Sequence, residues 1–339
     1  MHHDIIVTVV AFAAVLASLP LARLLGRRLG AWDTPDELGM HPAPVPRSGG
    51  IAILLGVVLS LETMKLLPGT GGSARQSAAV TIGTLAFFLV GLLDDLHEIR
   101  PYLKAIGLVL AALLFAMLSP YARMTGFERL DVMIAVLALV GGANALNFMD
   151  GLDGLAAGMA AIAALGFCAL SRTAGLALEG SWALALAGAC AAFWLANMPP
   201  ARIFMGDCGS LVLGFSLSGL LLTVGAGHPV RLMAGAIILS PLILDTGLAI
   251  VRRLLLHRDV FTGDRRHLYD LVYLRTRSVW KTDISMYLLG LCFAGLGAAA
   301  PFLDPWAVAS LAAAGWLAVS AWAVRLGMFS PVTNQRNGT

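Results

Sequence analysis

The chain alternates long apolar runs with short polar strings. A helix of about 20 apolar residues is long enough to cross a lipid bilayer. The pattern therefore predicts an all-α polytopic membrane protein that forms one domain over residues 1–339. The predicted spans are 4–25, 48–67, 77–94, 102–120, 130–147, 154–171, 180–197, 209–226, 231–254, 282–302 and 305–326. Pro301 and Pro305 also allow the last two spans to be one re-entrant pair, so ten or eleven spans are expected.

Three polar strings each stand at the end of one of these runs: GLLDDL at 91–96, NALNFMDGLDGLA at 144–156 and NMPPARIFMGDCGS at 197–210. Carboxylates and carboxamides at membrane depth are costly and are typical of functional sites. If the helices alternate in direction, all three strings fall at the same face of the membrane. The pattern therefore predicts one polar site, assembled at one face.

Composition supports the membrane assignment. The chain is 58% hydrophobic and 13% charged, with a mean hydropathy of +0.83, whereas soluble domains carry about 25% charged residues. A net charge of +3 gives no indication of nucleic-acid binding. The N-terminal string MHHDII lacks the positive region of a signal peptide, so the first apolar run is expected to be a retained helix.

Lysine and arginine are distributed unevenly between the two predicted faces. Seventeen of the 23 fall on one face and six on the other. Because cytoplasmic loops carry the excess of positive charge, the N-terminus is predicted outside and the C-terminus in the cytoplasm. This orientation places all three polar strings on the cytoplasmic face. The cytoplasmic loops predicted to carry the active site lie near 26–50, 94–104, 144–154, 197–210 and 255–281.

Asp94 and Asp95 end the third predicted span. They could be helix-end carboxylates that simply face water. However, an acid at a helix C-terminus opposes the helix dipole, and two adjacent acids repel each other. A functional role is therefore favoured, either in binding a metal ion or with one carboxylate accepting a proton.

The second string spaces Asn144, Asn147, Asp150 and Asp153 three residues apart. On a helix, this spacing would form one polar stripe, although the glycines of the string indicate a break. An ordinary turn also favours Asn, Asp and Gly. A turn does not need four regularly spaced polar side chains, so a binding or catalytic function is favoured.

The third string places an acid between glycines in GDCGS at 206–210. Flanking glycines let the backbone approach a phosphate or a metal closely. Ser210 or Gly209 could open the next helix, whose N-terminus would favour an anion.

The candidate ligands are hard oxygen atoms without a Cys/His cluster. Such a set suits Mg²⁺ or Mn²⁺ better than zinc. Mg²⁺ is usually held by one or two protein groups together with substrate phosphates. Four basic residues could meet those phosphates, or could merely reflect the positive charge of cytoplasmic loops: Arg47, Lys104, Arg265 and Arg266.

The ordered set PRSGG, GLLDD, NALNFMDGLDGLA and NxxPARIFMGDCGS, over about residues 41–270, resembles the polyprenyl-phosphate N-acetylhexosamine-1-phosphate transferase superfamily. The resemblance implies transfer of a sugar 1-phosphate from a UDP-sugar to a lipid phosphate, with release of UMP. It also implies a magnesium-dependent enzyme of a bacterial inner membrane, with its active site on the cytoplasmic face. The expected donor is UDP-N-acetylglucosamine or another UDP-N-acetylhexosamine, and the expected acceptor is undecaprenyl phosphate. The expected process is initiation of a surface polysaccharide such as lipopolysaccharide O-antigen, and a homodimer is expected.

The resemblance also implies roles for individual residues. Asp207 with Asn147 resembles the Mg²⁺ site on the pyrophosphate. Asp94 and Asp95 resemble a catalytic acid pair near the lipid phosphate. Lys104 and Arg47 are implied contacts of phosphate, Asp153 and Asn197 contacts of uracil, and Phe204 a ring stacked on uracil. Asp150 is expected to bind substrate, and Arg265 and Arg266 to lie near the sugar or diphosphate.

One loop departs from the superfamily pattern. Many members carry H-x-H-H after the ninth span, but this chain reads DRRHLYDL, with Tyr269 and Asp270 in place of two histidines. His267 is retained as a candidate catalytic residue, its alternative being a surface loop residue. The departure argues against the phospho-N-acetylmuramoyl-pentapeptide transferase of peptidoglycan, which remains an alternative. A transporter or lipid flippase is the alternative of another class, but a transporter should place its polar residues near mid-membrane in two related halves.

Overall fold

The computed structural model describes residues 2–33, 44–67, 73–119, 125–259 and 266–330. The helices are α1 (His2–Leu29), α2 (Gly49–Leu66), α3 (Ala74–His97), α4 (Pro101–Leu118), α5 (Glu128–Met149), α6 (Leu155–Thr173), α7 (Ala177–Asn197), α8 (Gly206–Gly225), α9 (Pro229–Ile238), α10 (Ser240–Leu255), α11 (Leu268–Thr276), α12 (Val279–Ala299) and α13 (Pro305–Arg325). A short 3₁₀ turn, Ala300–Phe302, joins the last two. Two-residue strands, β1 (Trp32–Asp33) and β2 (Val45–Pro46), pair antiparallel.

The predicted class and number of spans are confirmed. In the described residues, ten helices are long and apolar enough to cross a membrane, and the pair α9 and α10 raises the number to eleven if it counts as one span. The segments on either side of Pro301 and Pro305 are separate helices of spanning length.

The ninth span is not the continuous helix that the sequence analysis predicted over 231–254. It bends by 71° between α9 and α10, at Leu239. Pro241 lies in the first turn of α10 and has no backbone N–H, so the hydrogen bond to the carbonyl four residues earlier cannot form. Hydropathy alone does not reveal this break, because the residues directly on both sides of it are apolar.

A tryptophan of the last helix supports the bend. The Trp316 indole Nε1–H donates to Ser240 Oγ at 2.8 Å, and Ser240 Oγ donates to the Ala236 carbonyl at 3.2 Å. Broken helices at membrane depth persist only where neighbouring groups satisfy the freed polar atoms. This contact therefore links α13 to the break between α9 and α10.

We expect Trp316→Phe to lower the free energy of unfolding by about 1 kcal/mol, because it removes one partly buried hydrogen bond and retains an aromatic ring. Thermal unfolding of the purified protein in detergent would measure the change. Trp306→Phe is the matched control, since Trp306 lies on the same helix and is 82% exposed. Equal melting temperatures for the two variants would contradict the supporting role of Trp316.

Helix α8 lies at the centre of the bundle, and nearly all of its residues are buried. It packs against α2, α3, α5, α6 and α7. The contact with α3 is close because Gly91 has no side chain: a Cβ there would lie 2.5 Å from Cys208 Cα. The absence of a Cβ therefore lets the end of α3, which carries Asp94 and Asp95, meet the beginning of α8, which carries Asp207.

Three predicted boundaries can be compared with the structure. The predicted end of the third span at 94 is too early, because α3 continues to His97 and leaves Asp94 inside the last turn. The predicted opening of a helix at Gly209 or Ser210 is too late, because α8 begins at Gly206. The break predicted in the second string is confirmed: α5 ends at Met149 and α6 begins at Leu155.

Candidate active site

Asp207 is the meeting point of three helices. It lies in the first turn of α8, and its Oδ1 accepts a hydrogen bond from Asn147 Nδ2 of α5 at 2.9 Å. Its Oδ2 pairs with Lys104 Nζ of α4. Asn147 Nδ2 also donates to Ser210 Oγ at 3.0 Å. The structure thus joins Asp207 and Asn147, the two residues predicted to hold a metal.

Lys104 bridges two carboxylates. Its Nζ lies 2.9 Å from Asp94 Oδ2 and also pairs with Asp207. The side chains of all three are only 15–17% exposed. Lys104 lies in the first turn of α4, directly after the α3–α4 connection. Its ammonium is therefore close to the end of α3. One positive charge therefore sits between two negative ones in a poorly solvated position.

Asp94 and Asp95 have different partners, although they are adjacent in sequence. Asp95 Oδ1 accepts from the backbone N–H of Asp207 at 2.8 Å, and Oδ2 accepts from that of Cys208 at 2.9 Å. These are among the N–H groups that a helix N-terminus leaves unpaired. Successive residues on a helix point about 100° apart, so one acid of the pair reaches Lys104 while the other holds the beginning of α8.

Arg47 flanks the site from the segment between β2 and α2. Its Nη1 lies 3.9 Å from Asp33 Oδ1, and its carbonyl lies where a Cβ on Gly206 would be only 2.8 Å away. Burial would lower the pKa of Arg47, but nearby carboxylates raise it overall, Asp33 most strongly, followed by Asp95 and Asp207. The guanidinium therefore contributes positive charge beside the acids of the site.

Asp150 directly follows α5 and is half-buried. Burial, and next the negative charge of Asp207, raises the pKa of the Asp150 carboxyl to about 7. A raised carboxyl pKa means that the folded protein binds the proton more tightly than the unfolded chain does. The stability contributed by this group is therefore present at low pH and is lost as the pH rises towards 7.

Asp150→Asn carries the neutral side chain at every pH. We expect it to raise the melting temperature of the protein in EDTA, and to raise it more at pH 8 than at pH 5. Thermal unfolding at the two pH values would measure this, with the exposed Glu62→Gln as control. An equal gain at both pH values would contradict the raised pKa of Asp150.

The residues predicted to meet uracil lie where the third string folds back on the second. Asp153 Oδ2 accepts from the Ala201 backbone N–H at 2.9 Å. Asn197 is 2% exposed and uses both ends of its carboxamide: Oδ1 accepts from Gly154 N at 3.0 Å, and Nδ2 donates to Ile203 O at 3.0 Å. Asn197 therefore fixes both loops, and its contact with uracil stays a prediction.

Phe204 joins the third string to the segment before α2. Its backbone N–H donates to Pro46 O at 2.9 Å, and its carbonyl accepts from Gly49 N at 2.9 Å. Its ring is partly exposed. This places Phe204 next to Arg47 in space, and its predicted stacking on uracil stays a prediction.

His267 is not the surface residue that was its alternative. It is 3% exposed, and its Nδ1 lies 2.7 Å from Asp245 Oδ2. It begins α11 in a capping box with Asp270, whose Oδ2 accepts from the His267 backbone N–H at 2.9 Å. Its imidazole lies near the rings of Phe148 and Tyr269, with each ring centroid 5.7 Å away. A direct catalytic role for His267 stays a prediction.

The two arginines next to His267 were predicted to bind substrate. Arg265 lies outside the described residues. Arg266 Nη1 donates to the Ser330 carbonyl at 2.7 Å, and its own carbonyl accepts from the buried Arg252. These contacts attach the beginning of α11 to the C-terminal turn, and a role for Arg266 in substrate binding stays a prediction.

Comparison with known proteins identifies the family. Residues 77–225 match the model of glycosyl transferase family 4. The chain is 31% identical over 307 residues to a "Probable undecaprenyl-phosphate N-acetylglucosaminyl 1-phosphate transferase" of Bacillus subtilis, covering 86% of this chain and 84% of that protein. It is 33% identical over 322 residues to a decaprenyl-phosphate N-acetylglucosaminephosphotransferase of Mycolicibacterium smegmatis, covering 84% and 78%. It is 30% identical over 329 residues to a phospho-N-acetylmuramoyl-pentapeptide-transferase of Geobacillus kaustophilus, covering 86% and 96%.

The chain belongs to glycosyl transferase family 4. This confirms the resemblance found in the polar strings, which lie within or near the matched residues 77–225. The family assignment also confirms a transferase over a transporter as the general class of protein.

The donor atoms of this family 4 protein fit a Mg²⁺ ion bound together with a substrate. No cluster of three or more His, Cys, Asp or Glu side chains with metal-binding geometry occurs in the described part of the chain. The available ligands are the Asp207 and Asp94 carboxylates and the Asn147 carboxamide, which suits a cation that completes its shell with phosphates and water. The Lys104 ammonium between the two carboxylates shows that this position favours positive charge.

An apolar groove of about 380 Å³ lies beside the site. It is lined by α5 from Leu137 to Ala145, by α8 from Gly214 to Leu221 and by α10 from Leu242 to Ile250. Ala145 is two residues from Asn147, and Gly214 is two turns from Asp207, so one end of the groove adjoins the polar site. The bend between α9 and α10 shapes its wall.

Several residues of the site escaped the sequence analysis. The sequence analysis did not single out Asp245, which lies inside the ninth apolar run. An acidic residue at membrane depth is typical of a functional site, so this signal was present in the sequence. Tyr287 and Trp194, which hydrogen-bond to each other beside Gly154, gave no signal, because aromatic residues within apolar runs are common. Tyr269 was recognised only as a missing histidine, although its hydroxyl contacts the carbonyl of Phe148.

Proposed function

We propose that this protein transfers N-acetylhexosamine 1-phosphate from a UDP-sugar to undecaprenyl phosphate and releases UMP. The observation that carries the proposal is the site of Asp94, Lys104, Asn147 and Asp207 at the ends of spanning helices, next to an apolar groove. A soluble nucleotide and a membrane lipid can meet only at such a boundary. The names of the relatives in Bacillus subtilis and Mycolicibacterium smegmatis support an N-acetylglucosamine donor and a polyprenyl acceptor.

The reaction exchanges one phosphoanhydride for another. An oxygen of the lipid phosphate attacks the β-phosphorus of the UDP-sugar, a new anhydride forms, and the bond from the β-phosphorus to the bridging oxygen breaks as UMP leaves. A dianionic phosphate is already a competent nucleophile, so catalysis depends on positioning and on neutralising charge. Lys104 and Arg47 supply protein-borne positive charge near the diphosphate. Mg²⁺, which Asp207 with Asp94 and Asn147 would hold, supplies further charge neutralisation when it is bound.

The apolar groove would receive the first isoprene units of the acceptor. Its lining is apolar apart from Ser218 and Thr246, and its residues Ala145 and Gly214 are those nearest in sequence to Asn147 and Asp207. A chain held there would present its phosphate near Asn147 and Asp207. The lysine and arginine bias supports an active site on the cytoplasmic face, and a bacterial inner membrane is part of the same proposal. Initiation of a surface polysaccharide and a homodimeric state belong to the same proposal.

A second candidate is the phospho-N-acetylmuramoyl-pentapeptide transferase activity. The relative of that name in Geobacillus kaustophilus, aligned over 96% of its length, favours keeping it. The Tyr269 and Asp270 substitutions favour the N-acetylhexosamine reaction, because both side chains make intramolecular contacts at positions where the superfamily pattern has histidines.

A donor panel separates these reactions. Purified protein in detergent would receive undecaprenyl phosphate, Mg²⁺ and either UDP-N-acetylglucosamine, UDP-N-acetylgalactosamine or UDP-N-acetylmuramoyl-pentapeptide, and UMP would be measured. We expect UMP release with an N-acetylhexosamine and none with the pentapeptide donor. Release with the pentapeptide donor alone would establish the second candidate. No release with any donor, with lipid and metal verified, would contradict both of these reactions.

A further inference from the structure

The loop between α5 and α6 is held at both ends by tyrosine hydroxyls. This loop, residues 150–154, carries Asp150 and Asp153. Tyr269 of α11 contacts the backbone just before the loop, and Tyr287 of α12 contacts the backbone at its last residue. Neither tyrosine belongs to the three polar strings, and both come from the region after the ninth span.

At the first end, Tyr269 completes the C-terminus of α5. Its hydroxyl donates to the Phe148 carbonyl at 2.8 Å. The last carbonyls of a helix have no hydrogen-bond partner within the helix. The Tyr269 hydroxyl therefore supplies a partner for one of these carbonyls. The ring of Tyr269 also lies against the loop: a Cβ at Gly151 would be 2.8 Å from Tyr269 Cζ. The position of Tyr269 thus determines where the loop leaves the helix.

At the second end, Tyr287 holds Gly154, the residue directly before α6. Its hydroxyl donates to the Gly154 carbonyl at 2.7 Å and accepts from Trp194 Nε1 at 3.0 Å. Gly154 has a φ of +81°, in the left-handed region that favours glycine. The indole of α7, the phenol of α12 and the turn at Gly154 therefore form one hydrogen-bonded chain.

The helix that carries Tyr269 is itself fixed. Asp245 is fully buried in α10 and accepts from the Leu268 backbone N–H at 2.6 Å, in addition to its contact with His267. Tyr269 is 4% exposed, and its ring stacks on His267 with 12° between the planes. Because these contacts fix the beginning of α11, the Tyr269 hydroxyl is held in a position from which it can fix the loop.

We propose that Tyr269 and Tyr287 are positioning residues for the donor nucleotide, which fix the loop of Asp150 and Asp153 before the UDP-sugar binds. The inference rests on the proposed function, since it assigns the loop to the donor side of that reaction. Neither tyrosine needs to touch substrate. If the loop is already ordered, no binding free energy is lost in ordering it. The apparent affinity for the nucleotide therefore depends on the fraction of molecules in which the loop is ordered.

Tyr269→Phe and Tyr287→Phe remove only the hydroxyl groups and keep the packed rings. We expect each to raise the KM for UDP-N-acetylglucosamine about three- to tenfold, the size of effect of one hydrogen bond. We expect kcat and the KM for undecaprenyl phosphate to stay within about twofold, because the bound nucleotide restores the loop. The double variant should exceed either single one.

Tyr273→Phe is the matched control. Tyr273 lies one turn after Tyr269 on α11, is partly buried, and its hydroxyl makes no hydrogen bond to the described residues. It should leave both KM values unchanged. A rise in the KM of the lipid as large as that of the donor would indicate general loosening and overturn the inference.

Hydrogen–deuterium exchange separates this inference from the proposed function, because it needs no substrate. In both tyrosine variants, the amides of residues 149–156 should exchange faster than in the parent protein, while those of Tyr273→Phe should not. Unchanged exchange in this segment would overturn the positioning role even if the enzyme is active. Faster exchange without any UMP release from the parent protein would leave the loop contacts established and contradict the proposed reaction.

Discussion

Replacing Asp207 with asparagine is expected to reduce UMP release by about 10³-fold, the scale found when one charge-stabilising group is lost from a transfer reaction. Asn has nearly the same shape, so it can keep the contact with Asn147, but it cannot balance Lys104 or offer a negative ligand to a cation. The effect should appear in kcat as well as in the apparent affinity for Mg²⁺. Initial rates at several Mg²⁺ concentrations would measure both.

Glu62→Gln is the matched control for this change. It is also an acid-to-amide substitution on a membrane helix, but the partner of Glu62 within the described part of the chain is Lys65, near the C-terminal end of α2. It should leave the rate within about twofold of the parent protein. Activity of Asp207→Asn close to that of the parent, with the protein folded, would show that the meeting point of α4, α5 and α8 is not the catalytic centre.

The second large effect is expected at Lys104. Lys104→Met removes the positive charge and retains an unbranched apolar chain, so Asp94 and Asp207 would face each other without the ammonium between them. We expect the rate to fall by about 10²- to 10³-fold. Lys104→Arg keeps the charge but differs in size and shape from a compact ammonium, and it should recover only part of the activity.

Lys65→Met is the control for this series, since Lys65 contacts Glu62 at an exposed position. Both lysine variants should be compared for melting temperature as well as for rate. If Lys104→Met and Lys65→Met showed the same small loss of rate, the ammonium of Lys104 would have no part in charge neutralisation.

The sequence predicted which residues form the site better than it predicted how they are arranged. Hydropathy predicted the spans because a bilayer imposes a minimum length on every helix. The three polar strings predicted Asp94, Asn147 and Asp207 as one group, and the structure joins them through Lys104 and through direct contacts. Alternating helix direction and membrane depth are sufficient to explain this success.

Contacts between distant parts of the chain could not be predicted in the same way. Asp94 and Asp95 are indistinguishable in sequence, and only the approach of α8 over Gly91 gives Asp95 its role at a helix N-terminus. Likewise, the sequence showed Tyr269 only as a departure from a histidine pattern. Its contact could not be predicted, because its partner, the Phe148 carbonyl, is more than a hundred residues away in the chain. The 71° bend of the ninth span depends on one proline and on Trp316 from another helix.

In the proposed reaction, the sugar moves together with its phosphate. The most direct measurement uses UDP-N-acetylglucosamine with a radioactive label in the β-phosphate, incubated with undecaprenyl phosphate, Mg²⁺ and the purified protein. We predict that the label moves to the lipid in step with the appearance of unlabelled UMP, and that EDTA stops both. Label recovered in UDP while the sugar alone moved to the lipid would contradict the reaction, and transfer unaffected by EDTA would contradict the assignment of Asp207 to a metal ion.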